Sequence, residues 1–323
     1  MATYKGIQGF SIQNLSADPS NPIEGQVWYN STSNVWKIEK ATTVGAWATG
    51  GALNTGRYNV EGAGTQTAGL AFGGFGPPYS GATEEYNGAT WASNPTGLNT
   101  ARTSPGSAGT QTAGLAFGGN TATGSTAVTE EYNGSSWSPS NPLNTSRNAL
   151  GGAGIQTAAL AFGGNSTPTF TGATEEYDGT SWTSVNSMIT ARHNLAGGGI
   201  QTSALAFGGQ TPSNTAATEK YDGISWSTSG SLNTAKQSLA GAAANFDSAL
   251  AFGGYTTVVI GATEEYNGTS WTTSPASLAT AREALGGCGT QTVALAFGGS
   301  PGPTATEEWT GPGAPLTQTI TVS

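Results

Sequence analysis

Length, composition and charge limit the classes of protein to which this chain can belong. It has 323 residues, of which only 9% are Asp, Glu, Lys or Arg, compared with about 25% in an average soluble protein. The net charge of −9 argues against a nucleic-acid backbone as a partner, because phosphate contacts need clustered Lys and Arg. The single cysteine, Cys288, excludes an internal disulfide, and we interpret it as a small buried filler.

The first 44 residues differ from the rest of the chain. They begin Met-Ala-Thr-Tyr-Lys-Gly, without the apolar core of a signal peptide, and the chain contains no apolar run of 18 residues. We therefore expect neither a secretion signal nor a membrane span. Residues 26–30 and 34–38 are predicted to form a short hairpin around Ser31-Thr32-Ser33.

Residues 21–32 of this segment read Asn-Pro-x-x-Gly-x-x-Trp-Tyr-Asn-Ser-Thr, and an aromatic and apolar strand follows them. The motif, over about residues 18–38, resembles one found in many bacteriophage structural proteins. It implies a virion protein, made in the bacterial cytoplasm, that attaches to other virion proteins or to a sister subunit. The expected contacts are Trp28, Tyr29 and Trp36. Alternatively, the two tryptophans lie on the outside of the main domain.

The rest of the chain consists mainly of six copies of one 45-residue unit. Each copy contains the string Leu-Ala-Phe-Gly-Gly. A repeat of this length is typical of propellers and solenoids. The repeated phenylalanines are Phe72, Phe117, Phe162, Phe207, Phe252 and Phe297.

One copy shows four short strands and no helical periodicity. After Arg147 come a strand of very small residues, 148–155, and an apolar strand, 158–162. A variable loop leads to a third strand, 173–177, and the tight turn Asp178-Gly179 leads to a short fourth strand. Asp-Gly and Asn-Gly between strands are strong hairpin signals. Four antiparallel strands per unit predict an all-β fold built from propeller blades.

The order of markers in each copy is Gly-Gly after an apolar strand, then Tyr, Trp and Arg. In the first copy these are Gly73-Gly74, Tyr86, Trp91 and Arg102. The pattern resembles the Kelch repeat over about residues 45–313, with Trp309 in place of the last Tyr and Lys236 in place of one Arg. The resemblance implies a six-bladed β-propeller of four-stranded antiparallel blades.

The last copy lacks its own fourth strand. Trp47 lies ten residues before Arg57, in frame with the fourth strands of the other copies, so we predict that it completes the sixth blade. The alternative is that residues 316–322 supply this strand. The predicted organisation is an attachment segment at 1–44, a propeller at 45–313 and a C-terminal strand or tail at 314–323.

Paired glutamates recur on the third strands, and paired carboxylates can carry out acid–base catalysis. A pair repeated from blade to blade is better explained as structural. We predict that the first Glu of each pair meets the repeated Arg or Lys, because a buried acid needs a partner and the Arg fork suits a carboxylate. The expected basic residues are Arg57, Arg102, Arg147, Arg192, Lys236 and Arg282, and the acids are Glu84, Glu130, Glu175, Glu219, Glu264 and Glu307.

Other chemistry has little support in the sequence. His193 is the only histidine, so a metal site built from several histidines is excluded. No serine-nucleophile elbow, phosphate loop or calcium loop occurs. We expect a non-enzyme without cofactor or metal.

The loops after Gly-Gly vary between copies and should emerge together on one rim of the ring. Aromatic and apolar residues in loops on a rigid scaffold commonly contact ligands. The candidate ligand contacts are Phe75, Tyr79, Phe170, Tyr255, Val258 and Val259. Alternatively, these side chains pack onto neighbouring loops.

Together these patterns favour a multi-copy phage adhesin whose propeller binds a host-surface glycan or protein. A purely structural tail or capsid decoration protein is the second hypothesis. A glycan-processing enzyme is the third.

Overall fold

A computed structural model describes residues 13–19, 26–41, 44–312 and 315–320, and the chain divides into two compact units. One unit combines the two ends of the chain, residues 1–44 and 311–323. The other is Gly45–Thr310. Regular secondary structure in the described ranges is all β, and no helix there could span a membrane.

Within Gly45–Thr310 the described residues form six four-stranded antiparallel sheets, the blades of a β-propeller. The inner strands are Glu61–Thr65, Gly106–Gly109, Gly151–Ile155, Ala196–Ile200, Ala240–Asn245 and Gly286–Gly289. The second strands are Ala68–Phe72, Gly114–Phe117, Ala158–Phe162, Ser203–Phe207, Ser248–Phe252 and Val293–Phe297.

The outer half of each blade carries the Glu pairs and the tryptophans. The third strands are Thr83–Tyr86, Thr129–Tyr132, Thr174–Tyr177, Thr218–Tyr221, Ala262–Tyr266 and Thr306–Thr310. The outer strands are Trp91–Asn94, Trp137–Ser140, Trp182–Val185, Trp226–Ser229, Trp271–Ser277 and Ala46–Thr49. A small extra hairpin, Asn120–Thr121 with Gly124–Ser125, lies in the variable loop of the second blade.

The sixth blade takes its outer strand from the start of the propeller unit. Ala46–Thr49 pairs with Thr306–Thr310, with Trp47 opposite Trp309. The first and sixth blades are also in contact, since Trp91 Nε1 donates to Thr306 Oγ1 at 2.9 Å. The ring is therefore closed by the strand that carries Trp47.

The C-terminal strand, the rival candidate for the sixth blade, pairs elsewhere. Pro315–Ile320 is antiparallel to Val35–Ala41, which forms a hairpin with Val27–Asn30. Gln13–Leu15 adds a parallel strand to complete this terminal sheet. The predicted tail at 314–323 is thus part of the same unit as the N-terminal segment, because its backbone continues that sheet.

The core lies between neighbouring blades. Each repeated Phe is fully buried and packs against the outer-strand Trp of the next blade, with ring centroids 4.9–5.1 Å apart. Each of these Trp Nε1 groups also donates to a threonine hydroxyl of the preceding blade at 2.9–3.0 Å. The aromatic pairs add to area burial, and the hydrogen bonds satisfy the buried indoles. The contacts are Phe72–Trp137, Phe117–Trp182, Phe162–Trp226, Phe207–Trp271, Phe252–Trp47 and Phe297–Trp91.

The small residues of the inner strands allow these strands to approach one another around the central channel. A Cβ on Gly152 would lie 2.2 Å from the carbonyl oxygen of Ser107 on the inner strand of the preceding blade. Gly163, which directly follows the second strand of the third blade, has a φ of +64°, a conformation that favours glycine.

Candidate binding site at the channel mouth

Six buried ion pairs anchor the linkers that enter the inner strands. In the first blade, Arg57 Nη2 lies 3.1 Å from Glu84 Oε1. Glu84 also accepts hydrogen bonds from the backbone N–H groups of Asn54 and Thr55, at 2.7 and 3.2 Å. Burial lowers the pKa of Arg57 to about 10, while Glu84 opposes that shift, so the guanidinium stays charged at pH 7.

All six of the ion pairs proposed from the sequence form in the structure, with N–O distances of 2.6–3.1 Å. Their side chains are nearly or completely buried, so they hold the linkers in place and are not open to a substrate. The pairs are Arg57–Glu84, Arg102–Glu130, Arg147–Glu175, Arg192–Glu219, Lys236–Glu264 and Arg282–Glu307.

Two residues after each of these basic residues, the backbone forms a closed ring of hydrogen bonds around the channel. Each N–H donates to the carbonyl of the corresponding residue in the preceding blade, at 2.6–3.0 Å. All six residues have φ between 49° and 53°, a left-handed conformation. The ring residues are Asn59, Ser104, Ala149, Asn194, Ser238 and Ala284.

On the side of the variable loops, this ring opens into a cavity of about 560 Å³, which we call the vestibule. The ring itself borders a throat of about 40 Å³, and the channel beyond it measures about 130 Å³. A ligand entering from the loop rim would therefore be held in the vestibule. Its lining residues are Tyr58, Asn59, Ser104, Asn148, Ala149, Asn165, His193, Asn194, Ser238, Glu283, Ala284 and Ser300.

One position of the linker differs in all six copies, and four of its six residues, Tyr58, Asn148, His193 and Glu283, line the vestibule. This position directly follows each repeated Arg or Lys and is occupied by Tyr58, Thr103, Asn148, His193, Gln237 and Glu283. Each of these residues forms a β-bridge with the first residue of its variable loop. All six side chains can form hydrogen bonds, although Gly and Ala dominate the neighbouring inner strands. The variation thus gives a nearly symmetrical ring an asymmetric polar mouth.

The vestibule has little charge. Glu283 is the one acidic or basic side chain among the described residues that line it, apart from His193. Burial lowers the pKa of His193, so its ring is neutral at pH 7. Its Nδ1 lies 3.2 Å from the carbonyl oxygen of Gln210 and must carry the proton, since a carbonyl can only accept. Nε2 of the neutral ring is then an acceptor.

The aromatic loop residues proposed as ligand contacts support the wall and do not themselves line the vestibule. Phe75 packs against Tyr58 and Tyr79, with ring centroids 5.5 and 5.2 Å apart. Phe170, which is 37% exposed, stacks on His193 at 4.2 Å. These contacts fix the two wall rings in position. For Phe75 and Tyr79, packing on loop neighbours is therefore what the structure shows.

The remaining loop candidates lie together at the fifth blade. Tyr255 is half-buried and forms backbone bridges with Gln237 and Val259. Val258 is 61% exposed, and Val259 is partly buried. Sequence reasoning selected these loop residues for their apolar character and overlooked the vestibule residues. The signal for the latter was the single linker position at which all six copies differ.

Of the three contact residues predicted in the N-terminal segment, one is buried and two are partly exposed. Trp28 is fully buried, and its Nε1 donates to Asp18 Oδ1 at 3.1 Å, so its indole offers no exposed contact surface. The prediction that Trp28 forms an external contact must be corrected accordingly. Tyr29 and Trp36 remain partly exposed on the hairpin, with ring centroids 5.4 Å apart.

Among the described residues, no group of three or more His, Cys, Asp or Glu side chains could hold a metal ion. In comparisons with known proteins, no family model matches the chain and no curated protein matches it. The vestibule is thus identified by its own geometry and chemistry.

Proposed function

We propose that this chain is a non-enzymatic bacteriophage virion protein whose propeller binds a host-surface glycan in the vestibule. The observation that carries the proposal is the mouth itself, an open cavity walled by hydrogen-bonding groups, of which the Glu283 carboxylate is the one acid, and by two aromatic rings. Its volume of about 560 Å³ lies within the range of about 300–1,000 Å³ found for small-ligand pockets.

The wall chemistry suits a sugar. Tyr58 belongs to the first blade and His193 to the fourth, so their rings lie on opposite sides of a six-bladed ring. Asn148, Asn165 and Ser300 add amide and hydroxyl groups that both donate and accept hydrogen bonds. A sugar ring offers apolar C–H faces to aromatic side chains and hydroxyls to polar ones. The vestibule provides both kinds of partner.

The Kelch character of the propeller and the phage origin of the chain are also parts of this proposal. The first is supported by the repeated order of Gly-Gly, Tyr, Trp and Arg, and the second by the motif at residues 21–32. Tyr29 and Trp36 are the available aromatic contacts of the hairpin for other virion proteins. Display in many copies would strengthen weak single-site binding through avidity.

Binding of the full-length chain to bacterial cells and to their purified surface polysaccharides tests this function. The wild type should bind selectively, and a Tyr58→Ala/His193→Ala double variant should lose most of that binding. An Ile224→Ala variant is the control, because Ile224 is 72% exposed in a hairpin turn and does not line the vestibule. The recovered polysaccharide should keep its chain length.

Two results would contradict the proposal. Shortening of the polysaccharide by the wild type would show that the protein is an enzyme. No binding to any cell or polysaccharide, even with the protein multimerised, would favour the structural decoration role over the adhesin.

A further inference from the structure

We infer that the vestibule selects uncharged glycans and rejects acidic ones, and that the carboxylate of Glu283 determines this specificity by accepting sugar hydroxyls. This inference rests on the proposed glycan-binding function and names the class of glycan. It follows from two observations. Every Lys and Arg side chain of the propeller unit is paired with a carboxylate, and the Glu283 carboxylate in the vestibule wall has no such partner among the described residues.

In the described residues of the propeller unit, every Lys and Arg side chain is already paired with a carboxylate, so none is unpaired to bind an anionic ligand. All Lys and Arg residues between Gly45 and Thr310 lie in the described range, and each is paired with a carboxylate at 2.6–3.1 Å. Six of these side chains are completely buried. The seventh, Lys220, pairs with Asp247 and also donates to the carbonyl of Gly268. The paired cations are Arg57, Arg102, Arg147, Arg192, Lys220, Lys236 and Arg282.

This arrangement disfavours acidic sugars for an energetic reason. A carboxylate, sulfate or phosphate group that enters the vestibule loses hydration and needs a cation or several donors in exchange. The neutral ring of His193 supplies no charge there, and Glu283 supplies the same charge as the ligand. An acidic polysaccharide would therefore be repelled at the mouth of the channel.

Glu283 repels an acidic sugar but can accept hydrogen bonds from the hydroxyl groups of a neutral one. It is half-buried, and its carboxylate has no hydrogen-bond or ion-pair partner among the described residues. Its backbone is fixed by hydrogen bonds with Ser300 at 2.9 and 3.0 Å. An ionised carboxylate is an acceptor with two oxygens, so it can receive two hydroxyl groups at once. Adjacent hydroxyls of one sugar ring match this requirement.

The repeats provide variants that should fold. Glu283→Gln introduces the residue that Gln237 places at the equivalent position of the fifth blade. Asp178→Asn is the matched control, because it changes the net charge by the same amount and Asn occupies that turn in three other copies, as Asn87, Asn133 and Asn267. Asp178 is exposed and does not line the vestibule.

The experiment measures binding of the full chain to immobilised mannan, dextran and galactan, to alginate and a phosphomannan, and to chitosan with its N-acetylated form. The wild type and Asp178→Asn should bind at least one neutral polymer and neither acidic polymer. Glu283→Gln should weaken the neutral interaction by about tenfold or more, because a hydrogen bond to a charged acceptor is lost. Glu283→Arg should acquire binding to alginate that weakens with added salt.

Each contrary result has a separate meaning. Wild-type binding to an acidic polymer that is lost in Tyr58→Ala/His193→Ala would overturn the specificity while leaving the adhesin function intact. Unchanged neutral binding by Glu283→Gln would overturn the role of Glu283. Preference for chitosan over its N-acetylated form would identify an amine as the ligand group and overturn the neutral class. Absence of binding to every polymer and to host cells would overturn the function and this inference together.

Discussion

Trp47 lies opposite Trp309, with ring centroids 5.3 Å apart, so the first and last strands of the propeller unit share one sheet. Trp47 also contacts Phe252 at 5.0 Å and donates through Nε1 to Thr263 Oγ1 at 2.9 Å. One side chain thus links the N-terminal strand to both the fifth and the sixth blade. The closure of the ring depends on the same Phe–Trp contact that joins every other pair of blades.

Trp47→Ala is expected to reduce the free energy of unfolding of the propeller by about 2–4 kcal/mol. This decrease lies toward the lower end of the range for Trp→Ala substitutions, because Trp47 is only partly buried. Urea unfolding followed by tryptophan fluorescence measures the change. Val258→Ala, at a site 61% exposed, is the control and should stay within about 0.5 kcal/mol of the wild type. A Trp47→Ala protein as stable as this control would show that the closing strand contributes little.

Lys236 is the weak member of the six ion pairs. Its Nζ lies 3.1 Å from Glu264 Oε1, yet both atoms are buried without a properly oriented hydrogen bond. In each of the other five pairs the guanidinium hydrogen-bonds its glutamate and also donates to a backbone carbonyl. Lys236→Arg should therefore stabilise the protein by about 1–2 kcal/mol.

Thermal and urea unfolding of Lys236→Arg, compared with Arg192→Lys, test this difference. Arg192→Lys should destabilise, because it removes the donor to the Ala206 carbonyl and retains only the charge. If both variants matched the wild type, the planar fork of arginine would have no special role in these sites.

Glu61 is the only acid on an inner strand, where the other blades have Gly or Ala at the equivalent position. Burial raises its pKa from the usual 4.5 to about 8, although a hydrogen bond from Ser107 at 3.2 Å opposes the rise. The unfolded chain releases this proton near pH 4.5, whereas the folded protein keeps it until about pH 8. Its contribution to stability therefore falls as pH rises through this window, by a few kcal/mol at most.

Melting temperatures of wild type and Glu61→Gln between pH 4 and pH 9 measure this contribution. The wild type should lose more stability than the variant as pH increases from 4.5 to 8, and the two curves should diverge most at the alkaline end. Ser107→Ala removes the opposing hydrogen bond and should extend the loss of stability to higher pH, while its onset near pH 4.5 stays the same. Parallel curves for wild type and Glu61→Gln would show that Glu61 is solvated in the channel.

The sequence predicted the parts of the fold that every blade needs. Every blade packs against its neighbour in the same way and buries the same kind of charged pair. The residues that make these contacts therefore recur: Phe72 and its counterparts, the Trp series and the Arg–Glu pairs. The position of the C-terminal strand could not be decided from the sequence. Residues 316–322 have strand character, but no sequence motif indicates which strand they pair with. The burial of Trp28 and its hydrogen bond to Asp18, ten residues earlier, were also not predictable from the strand pattern. Only contacts between distant segments decide such questions.

The vestibule escaped sequence reasoning for a related reason. Its floor depends on residues such as Ala149 and Ser238 adopting a left-handed backbone conformation, which their types do not predict. They adopt it because each is held by a hydrogen bond to the neighbouring blade, as when Ala149 N–H donates to Ser104 O. Closure of the ring therefore creates the site, and no single repeat contains enough information to show it.

A binding site in the vestibule and a binding site on the outer loops predict different effects of substitutions on ligand affinity. His193 lines the cavity, whereas Phe170 supports it from outside by stacking on its ring. His193→Ala should therefore weaken binding of a neutral glycan by about tenfold, because it removes a direct contact. Phe170→Ala should weaken it by about threefold, because His193 keeps its backbone bridge to Gln210 but loses the stacked neighbour. Val258→Ala should leave affinity unchanged. Affinities of the three variants, measured side by side on the same immobilised polysaccharide, decide between the two locations. A ranking in which Val258→Ala costs most would place the site on the outer loops of the fifth blade and not at the channel mouth.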